Sequence, residues 1–446
     1  MNEHKHHDMN SRIIAEKIFL AGVAGVLPDR LVSESVSLKG EILKTGEITF
    51  EVNMLNNIYV TGAGKASAAM AHHVEAILGK RITGGHVVTR YGNSCTLKKI
   101  KVTEAGHPFP DVNSFKAAGE IMALADKAGE NDLVICLISG GGSALMTDLP
   151  EGLFPEEIHI VNNLLVKCGA TIHEINTVRK HLSEVKGGQL ATRMFPATLV
   201  NLILSDVVGN QIDVIASGPT VPDMTTYRDA YKVLEDHNLL NDVTEGIKKY
   251  LREGIEGLRP DTPKPGDQAF TRTYNILIGT NATALEASRK YAAGSGYNPY
   301  IITDSLSGDV EDVVQKVIDT AISYRNNPEV RKPLCLLFGG ETTVKVTGTG
   351  LGGRNQHLAL TATVRLKDLP GITILSAGTD GNDGPTDAAG AVVDSSTFHY
   401  GLSVGKEPEK YLGDFDSYGF FKSAGGHIFT GPTFTNVMDM VVVLVE

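Results

Sequence analysis

The sequence predicts an α/β protein built on mainly parallel sheets with helices on both sides, and three observations carry that prediction. Apolar, β-rich runs alternate with helical periodicity along almost all of the 446 residues. The run 133–138 is continuous and apolar, as in a strand covered on both faces, and 198–204 is a second such run. Glycine-rich turns follow several of these runs, at the strand ends where open α/β sheets gather their chemistry.

Taken in order, residues 57–61 read as a strand and 65–78 as the helix that follows. Strands are expected at 86–89 and 101–104, and Asp111 is placed to cap a helix reaching about residue 128. Strands 133–138 and 198–204 come next. Segment 254–268 holds Pro260, Pro263 and Pro265 among several charges and reads as a linker. The pattern then restarts with strand 274–278, helix 282–293, strand 299–303, helix 309–324 and strand 334–338. Helix 355–366 and strand 372–375 follow, and 439–445 reads as a last strand that could complete either half.

A chain of this length is expected to form two or three domains. Its make-up, 42% hydrophobic and 21% charged, fits a globular protein, and its net charge of -11 argues against nucleic acid or an anionic membrane as the main partner. An anionic substrate would therefore need a local cluster of basic residues. The four cysteines, Cys95, Cys136, Cys168 and Cys335, match no zinc or redox spacing; Cys136 and Cys335 fall in apolar runs as buried thiols, which suits the cytoplasm. No apolar run approaches the length of a membrane span. The start, with His4, Lys5, His6, His7 and Asp8, is not a secretory signal and reads as a frayed tail.

The chemistry is read from the turns. Leu337-Phe338-Gly339-Gly340-Glu341 is an apolar strand running into a glycine turn, and Gly352-Gly353-Arg354 delivers an arginine to a helix start. Glycine lets N–H groups approach a ligand, a helix N-terminus favours anions, and arginine adds a permanent fork-shaped charge. The bland alternative is a structural turn with a surface arginine. Gly62-Ala63-Gly64-Lys65 joins a strand to a helix but is not a Walker A loop, because Tyr59 and Ala66 occupy positions that motif needs for glycine and Ser/Thr. What remains is a lysine suited to phosphate. Ser139-Gly140-Gly141-Gly142-Ser143 exposes successive N–H groups fit for an oxyanion. Asn176, Arg179, Lys180, His181 and Lys186 form a cationic patch on or near one helix. Asp206 ends another buried strand and could hold Mg²⁺, act as a base or merely cap a helix. Asp380 and Asp383 lie in a carboxylate-rich turn that is not an EF-hand, since Gly384 and Ala391 stand where ligands would be needed, and that suits magnesium better than calcium.

These segments, in this order and over nearly the whole chain, resemble the class II glycerate kinases, the MOFRL family. The shared motifs include Gly64-Lys65-Ala66, Glu104-Ala105-Gly106-His107-Pro108, Ser139-Gly140-Gly141-Gly142-Ser143, Val178-Arg179-Lys180-His181-Leu182-Ser183, Ser205-Asp206-Val207, Ser217-Gly218-Pro219-Thr220, Gly353-Arg354-Asn355-Gln356 and Thr379-Asp380-Gly381. The resemblance implies ATP-dependent phosphorylation of D-glycerate, usually at the 2-hydroxyl, with Mg²⁺ or another divalent cation. It implies a large Rossmann-like three-layer N-terminal domain, 1–262, a smaller α/β C-terminal domain, 270–446, and an active site in the cleft between them. The family's catalytic lysine and arginine fall on Lys65 and Arg354.

On this expectation Lys65 and Arg354 stabilise the transferring phosphoryl group, and Asp206, or Asp380 with Asp383, holds the metal. The loop of Ser139, Gly140, Gly141, Gly142 and Ser143, with Gly64, cradles substrate or phosphate oxygens, and Arg179 takes the glycerate carboxylate. Two departures bear on metal and substrate: His357 stands where the family has glutamate, and Asn210 where it has aspartate. A related hydroxy acid is thus an open alternative substrate. The rival readings are an NAD(P)-dependent hydroxypyruvate reductase and a non-catalytic organic-acid sensor. A homodimer is an open expectation.

Overall fold

The strand Asp132–Ile138 is buried at all seven positions, as its uninterrupted apolar sequence requires, and so is Thr198–Leu204. The computed structural model describes residues 2–446, with side chains from residue 10 onward, so the side chains of the histidine-rich start lie outside the described residues. Its contacts divide the chain into two units, Pro28–Ile278 and Met1–Leu27 with Gly279–Glu446.

The first unit is organised by a six-stranded sheet in the order Ile100–Ala105, Gly84–Arg90, Asn57–Ala63, Asp132–Ile138, Thr198–Leu204, Thr273–Gly279. Among the first five strands all neighbours pair in parallel. Helices Ser67–Leu78 and Val112–Ala125 pack on it, the second placing Ala117, Ala118 and Ile121 in one core with Val88, Val134 and Cys136. Asp111 caps the second helix through a capping box with Ser114, as its position in the sequence predicts. A separate helical layer, Pro155–Lys167, Ile172–His181, Tyr227–Asp236 and Glu245–Ile255, encloses its own core of Val161, Leu165, Val178, Leu234 and Leu251. A three-stranded antiparallel meander, Val36–Lys39, Ile42–Thr45 and Ile48–Glu51, precedes the main sheet and was not expected from the sequence.

Two expectations about organisation meet a different arrangement. The strand read as the restart of the pattern, Thr273–Gly279, is the edge of the first unit's sheet, beside Thr198–Leu204. The proline-rich segment 254–268 is packed within this unit rather than free: Asp223 N–H donates to the Pro263 carbonyl at 3.0 Å and Thr262 Oγ1 to Asp223 Oδ2 at 3.0 Å. Proline and charge density signal a break in regular structure, and tertiary hydrogen bonds decide whether the break is loose.

The second unit has a mixed sheet in the order Asn298–Asp309, Leu334–Thr343, Asp439–Val445, Ile372–Gly378, Gly390–Asp394, His427–Ile428. Only the first pair is parallel; the last strand of the chain enters the centre antiparallel to both neighbours, which corrects the expectation of a mainly parallel sheet here. Asp439–Val445 is buried throughout and completes this unit. The N-terminal helix Asn2–Gly25 belongs to the same unit: Ser288 Oγ donates to the Ile18 carbonyl at 2.8 Å, and Arg12 pairs with Asp394. All four cysteines are free thiols; Cys136 and Cys335 are buried, and burial pushes each thiol up to about 12. Among the described residues no helix is long and apolar enough to cross a membrane.

Candidate active site

Parallel register brings three of the sequence's turns together. Ala63 stands opposite Ile138, and Ile138 opposite Ile203, so the turns beginning at Gly64, Ser139 and Ser205 leave the same edge of the first unit's sheet side by side. The first two are stitched: Ser139 N–H donates to the Ala63 carbonyl at 3.1 Å, Lys65 N–H to the Gly140 carbonyl at 2.9 Å, and Ala66 N–H to Ser139 Oγ at 3.0 Å. Gly64 has φ +144°, and a Cβ there would run into the Ser139 backbone, so this approach needs glycine. Lys65 itself is half-buried.

Gly141, at φ +83°, turns the chain into the short helix Gly142–Leu145. The N–H groups of Gly140, Gly141 and Ser143 meet no acceptor among the described residues, which suits them to an oxyanion. The face of Gly141 is covered by the His107 ring, whose atoms would crowd any Cβ there. Ser143 Oγ lies 2.9 Å from Ser217 Oγ, and Ser217 donates to Asn176 Oδ1 at 2.9 Å.

The cationic patch does not survive folding as a patch, because most of its charges are spent internally. Lys180 is buried against Asp223 at 3.3 Å, with Asp213 at 3.7 Å. His181 Nε2 lies 3.1 Å from Asp261 Oδ1, and its Nδ1 2.8 Å from the Thr177 carbonyl. Lys186 donates to the Met146 carbonyl at 3.0 Å and lies 3.7 Å from Asp148; burial pushes its pKa down, against the pull of Asp148. Arg179 is different. Its Nε donates to Asn162 Oδ1 at 2.6 Å, it has no carboxylate partner among the described residues, and burial lowers its pKa. Arg179, Asn162, Ser143 and Lys186 line one cleft together with Pro108 and Pro110. A half-buried guanidinium without a counter-charge is unfavourable until an anion arrives.

In the second unit Arg354 opens the helix Arg354–Leu366 and is gripped by two carboxylates. Its Nε donates to Asp439 Oδ2 at 2.5 Å, Nη2 to Asp439 Oδ1 at 3.0 Å and Nη1 to Glu341 Oε1 at 2.5 Å. Burial alone would lower its pKa, but the Asp439 hydrogen bonds and the Asp439, Glu341 and Asp383 charges raise it. Asp383 caps the same helix: Oδ1 accepts from Asn355 N–H at 3.0 Å and Oδ2 from Gln356 N–H at 2.8 Å, with both side-chain amides adding bonds. Burial raises the Asp383 carboxyl to about 6 despite the N–H groups of Gln356 and Asn355, which pull it down. Asp383 is thus engaged as an anionic helix cap, and Asp380 Oδ1 accepts from Asn382 N–H at 3.2 Å. His357 stacks flat on Phe415, ring centres 4.8 Å apart.

The first unit's third turn also offers oxygens to a hard divalent cation. Asp206 sits there half-buried, and four residues on, in a left-handed backbone at φ +53°, Asn210 holds a buried Oδ1 without a hydrogen-bond partner. Among the described residues no group of three or more His, Cys, Asp and Glu is arranged to hold a metal. Magnesium asks only for one or two carboxylates beside phosphate oxygens and water, so this turn fits it.

Three residues of the candidate site carry no sequence signal for their place in it. Ser217 stands in a shared motif, but its left-handed backbone (φ +59°, after Ala216 at +51°) has no local signal. His107 likewise belongs to a motif that does not show it covering Gly141. Asp439 looks in the sequence like a strand start, 85 residues from the arginine it holds.

Residues 14–252 match a domain of unknown function, DUF4147, and residues 334–439 match the MOFRL family. The chain is 41% identical to the D-glycerate 2-kinase of Thermotoga maritima, over 97% of this chain and 98% of the relative. It is likewise 41% identical to the glycerate 2-kinase of Pyrococcus horikoshii, over 98% of each chain. A crystal structure of glycerate kinase from Thermotoga maritima superposes with a TM-score of 0.86 at 39% identity, covering 98% of this chain and all of that one (100%).

Proposed function

The chain belongs to the glycerate 2-kinase family, whose MOFRL segment it carries, and from that premise we propose that it transfers the γ-phosphoryl group of ATP to the 2-hydroxyl of D-glycerate. The observation that carries the reading at the site is Arg179, a half-buried guanidinium with no carboxylate partner among the described residues, lining the same cleft as Ser143. A small hydroxy acid supplies what is missing: a carboxylate for Arg179 and a hydroxyl for the neighbouring polar groups.

Phosphoryl transfer asks a protein for positioning and charge stabilisation more than for covalent chemistry. Lys65, at the Gly64 turn, and Arg354, fixed by Asp439 and Glu341, carry the charge-stabilising roles. The N–H groups of Gly140, Gly141 and Ser143, in the loop Ser139 to Ser143, take substrate or phosphate oxygens. Asp206, with Asn210 Oδ1, is our choice for Mg²⁺, which when bound neutralises phosphate charge. Asp380 and Asp383, which accept N–H donors from Asn382, Asn355 and Gln356, are the other candidates. Four free thiols suit a cytoplasmic location, and a homodimer is the oligomeric form to test by light scattering.

The test is ADP release by the purified protein with ATP, Mg²⁺ and D-glycerate, run beside NADH or NADPH with hydroxypyruvate. Glycerate-dependent ADP formation with a 2-phosphoglycerate NMR signature is expected. Nucleotide oxidation without ADP would replace the kinase by the reductase, and binding of glycerate without turnover would leave only a sensor.

A further inference from the structure

Ser143, Ser217 and Asn176 form a chain of hydrogen bonds whose direction follows from Asn176 presenting its Oδ1 to Ser217. Ser217 is fully buried and has one hydroxyl proton, which it gives to Asn176 Oδ1 at 2.9 Å. In the 2.9 Å contact between Ser143 and Ser217, the donor is therefore Ser143. The cleft is left facing the lone pairs of Ser143 Oγ.

The placement is costly, and the cost is spread over two residues. Ala216, Ser217 and Gly218 are three successive left-handed residues at φ +51°, +59° and +60°, two of them not glycine. The turn is pinned by Gly187 N–H donating to the Ser217 carbonyl at 2.9 Å and Gly188 N–H to the Gly218 carbonyl at 2.8 Å. Asn176, 3% exposed, keeps its Nδ2 without a hydrogen-bond partner. Asn176 and Arg179 lie three residues apart on the helix Ile172–His181, so one helical face carries both the end of the relay and the guanidinium that lacks a carboxylate partner among the described residues.

We propose that Ser217 and Asn176 are positioning residues that hold Ser143 as a hydrogen-bond acceptor, so that the cleft selects 2-hydroxy acids over 2-oxo acids. Arg179 takes the carboxylate, and Ser143 Oγ accepts from the 2-hydroxyl, turning that oxygen's lone pairs away from itself. A 2-oxo acid has no proton to offer at C2 and sets lone pair against lone pair. The inference rests on the reading of this cleft as the acid site and adds which oxidation state it accepts. It needs no new cofactor or reaction step.

The experiment is calorimetric binding of D-glycerate and of hydroxypyruvate to the full chain, in the wild type and in Ser217→Ala and Ser217→Gly, with ADP release measured on the same samples. The glycine variant suits the left-handed backbone and guards against a fold defect. The wild type is expected to bind D-glycerate at least about tenfold tighter than hydroxypyruvate, and the variants to bring that ratio to within about twofold, because Ser143 can then turn its proton outward. A merely structural role would weaken both ligands together and leave the ratio alone. An unchanged ratio in both variants, a wild type without the preference, or no binding of either acid overturns the inference. Absence of ADP release with the preference intact sinks the kinase reading alone.

Discussion

Arg354, proposed to stabilise the transferring phosphoryl group, is held in one orientation by two carboxylates. Its guanidinium is fixed on three of its nitrogens by Asp439 and Glu341, and the Asp439 side chain is only 8% exposed. Removing one preorganised donor costs roughly 10²–10³ in rate, about 3–4 kcal/mol. Steady-state kinetics of folded Arg354→Ala should show a kcat drop of about that size, and near-wild-type kcat would refute its role. Asp383 gives a pH prediction. Its carboxyl is raised from 3.8 to about 6, so the folded state holds a proton that the unfolded state has released. Stability from this group is full below about 4 and is lost as pH rises through about 6, by up to ~3 kcal/mol for a shift of this size. Urea denaturation at pH 4, 5 and 6 should show that fall, and Asp383→Asn should flatten it. The sequence exposed Lys65, Ser139 and Ser143 because their motifs are local. It could not expose Asp439 or Ser217, whose partners are brought to them only by the sheet and by the left-handed turn.

At the scale of elements, the same residue type has opposite effects at two places. Gly119 lies inside the helix Val112–Ala125, where an added Cβ meets nothing within 4 Å. Gly119→Ala should stabilise the protein by about 0.5–1 kcal/mol, read as a higher denaturation midpoint. Gly64 combines φ +144° with backbone contact to Ser139. Gly64→Ala should cost at least about 2 kcal/mol and lower the yield of folded protein, because two strand ends must part to admit a methyl group. Strands such as Asp132–Ile138 were legible from apolar continuity, and the Asp111 cap from its side chain. The meander at residues 36–51 is not, since each of its strands has only four residues, too few for a period of two to stand out, although Ile42–Thr45 and Ile48–Glu51 do alternate in burial.

At the scale of the molecule, the second unit is closed by the chain's two ends. The helix Asn2–Gly25 packs against the helix Asn281–Gly294 and near the last strand, with Ser11 donating to Glu446 Oε1 at 2.6 Å and Thr435 Oγ1 to the Val26 carbonyl at 2.6 Å. A chain lacking residues 1–27 should therefore lose stability in residues 279–446 and keep it in 28–278. Hydrogen exchange resolved by peptide checks this, and equal loss of protection in both units would contradict it. The alternation of strand and helix, the places where glycine turns meet strand ends and, through their order, the family are legible in the residues alone. Those features are local: they rest on burial periodicity and on backbone conformations that neighbouring residues impose. Which cation of the patch keeps no carboxylate partner among the described residues is settled by folding. Lys180, His181 and Lys186 are consumed by Asp223, Asp261 and Asp148, and Arg179, on the same helix as the first two, is not. The cost of burying a charge depends on partners that folding brings from tens of residues away, and no window of sequence contains them.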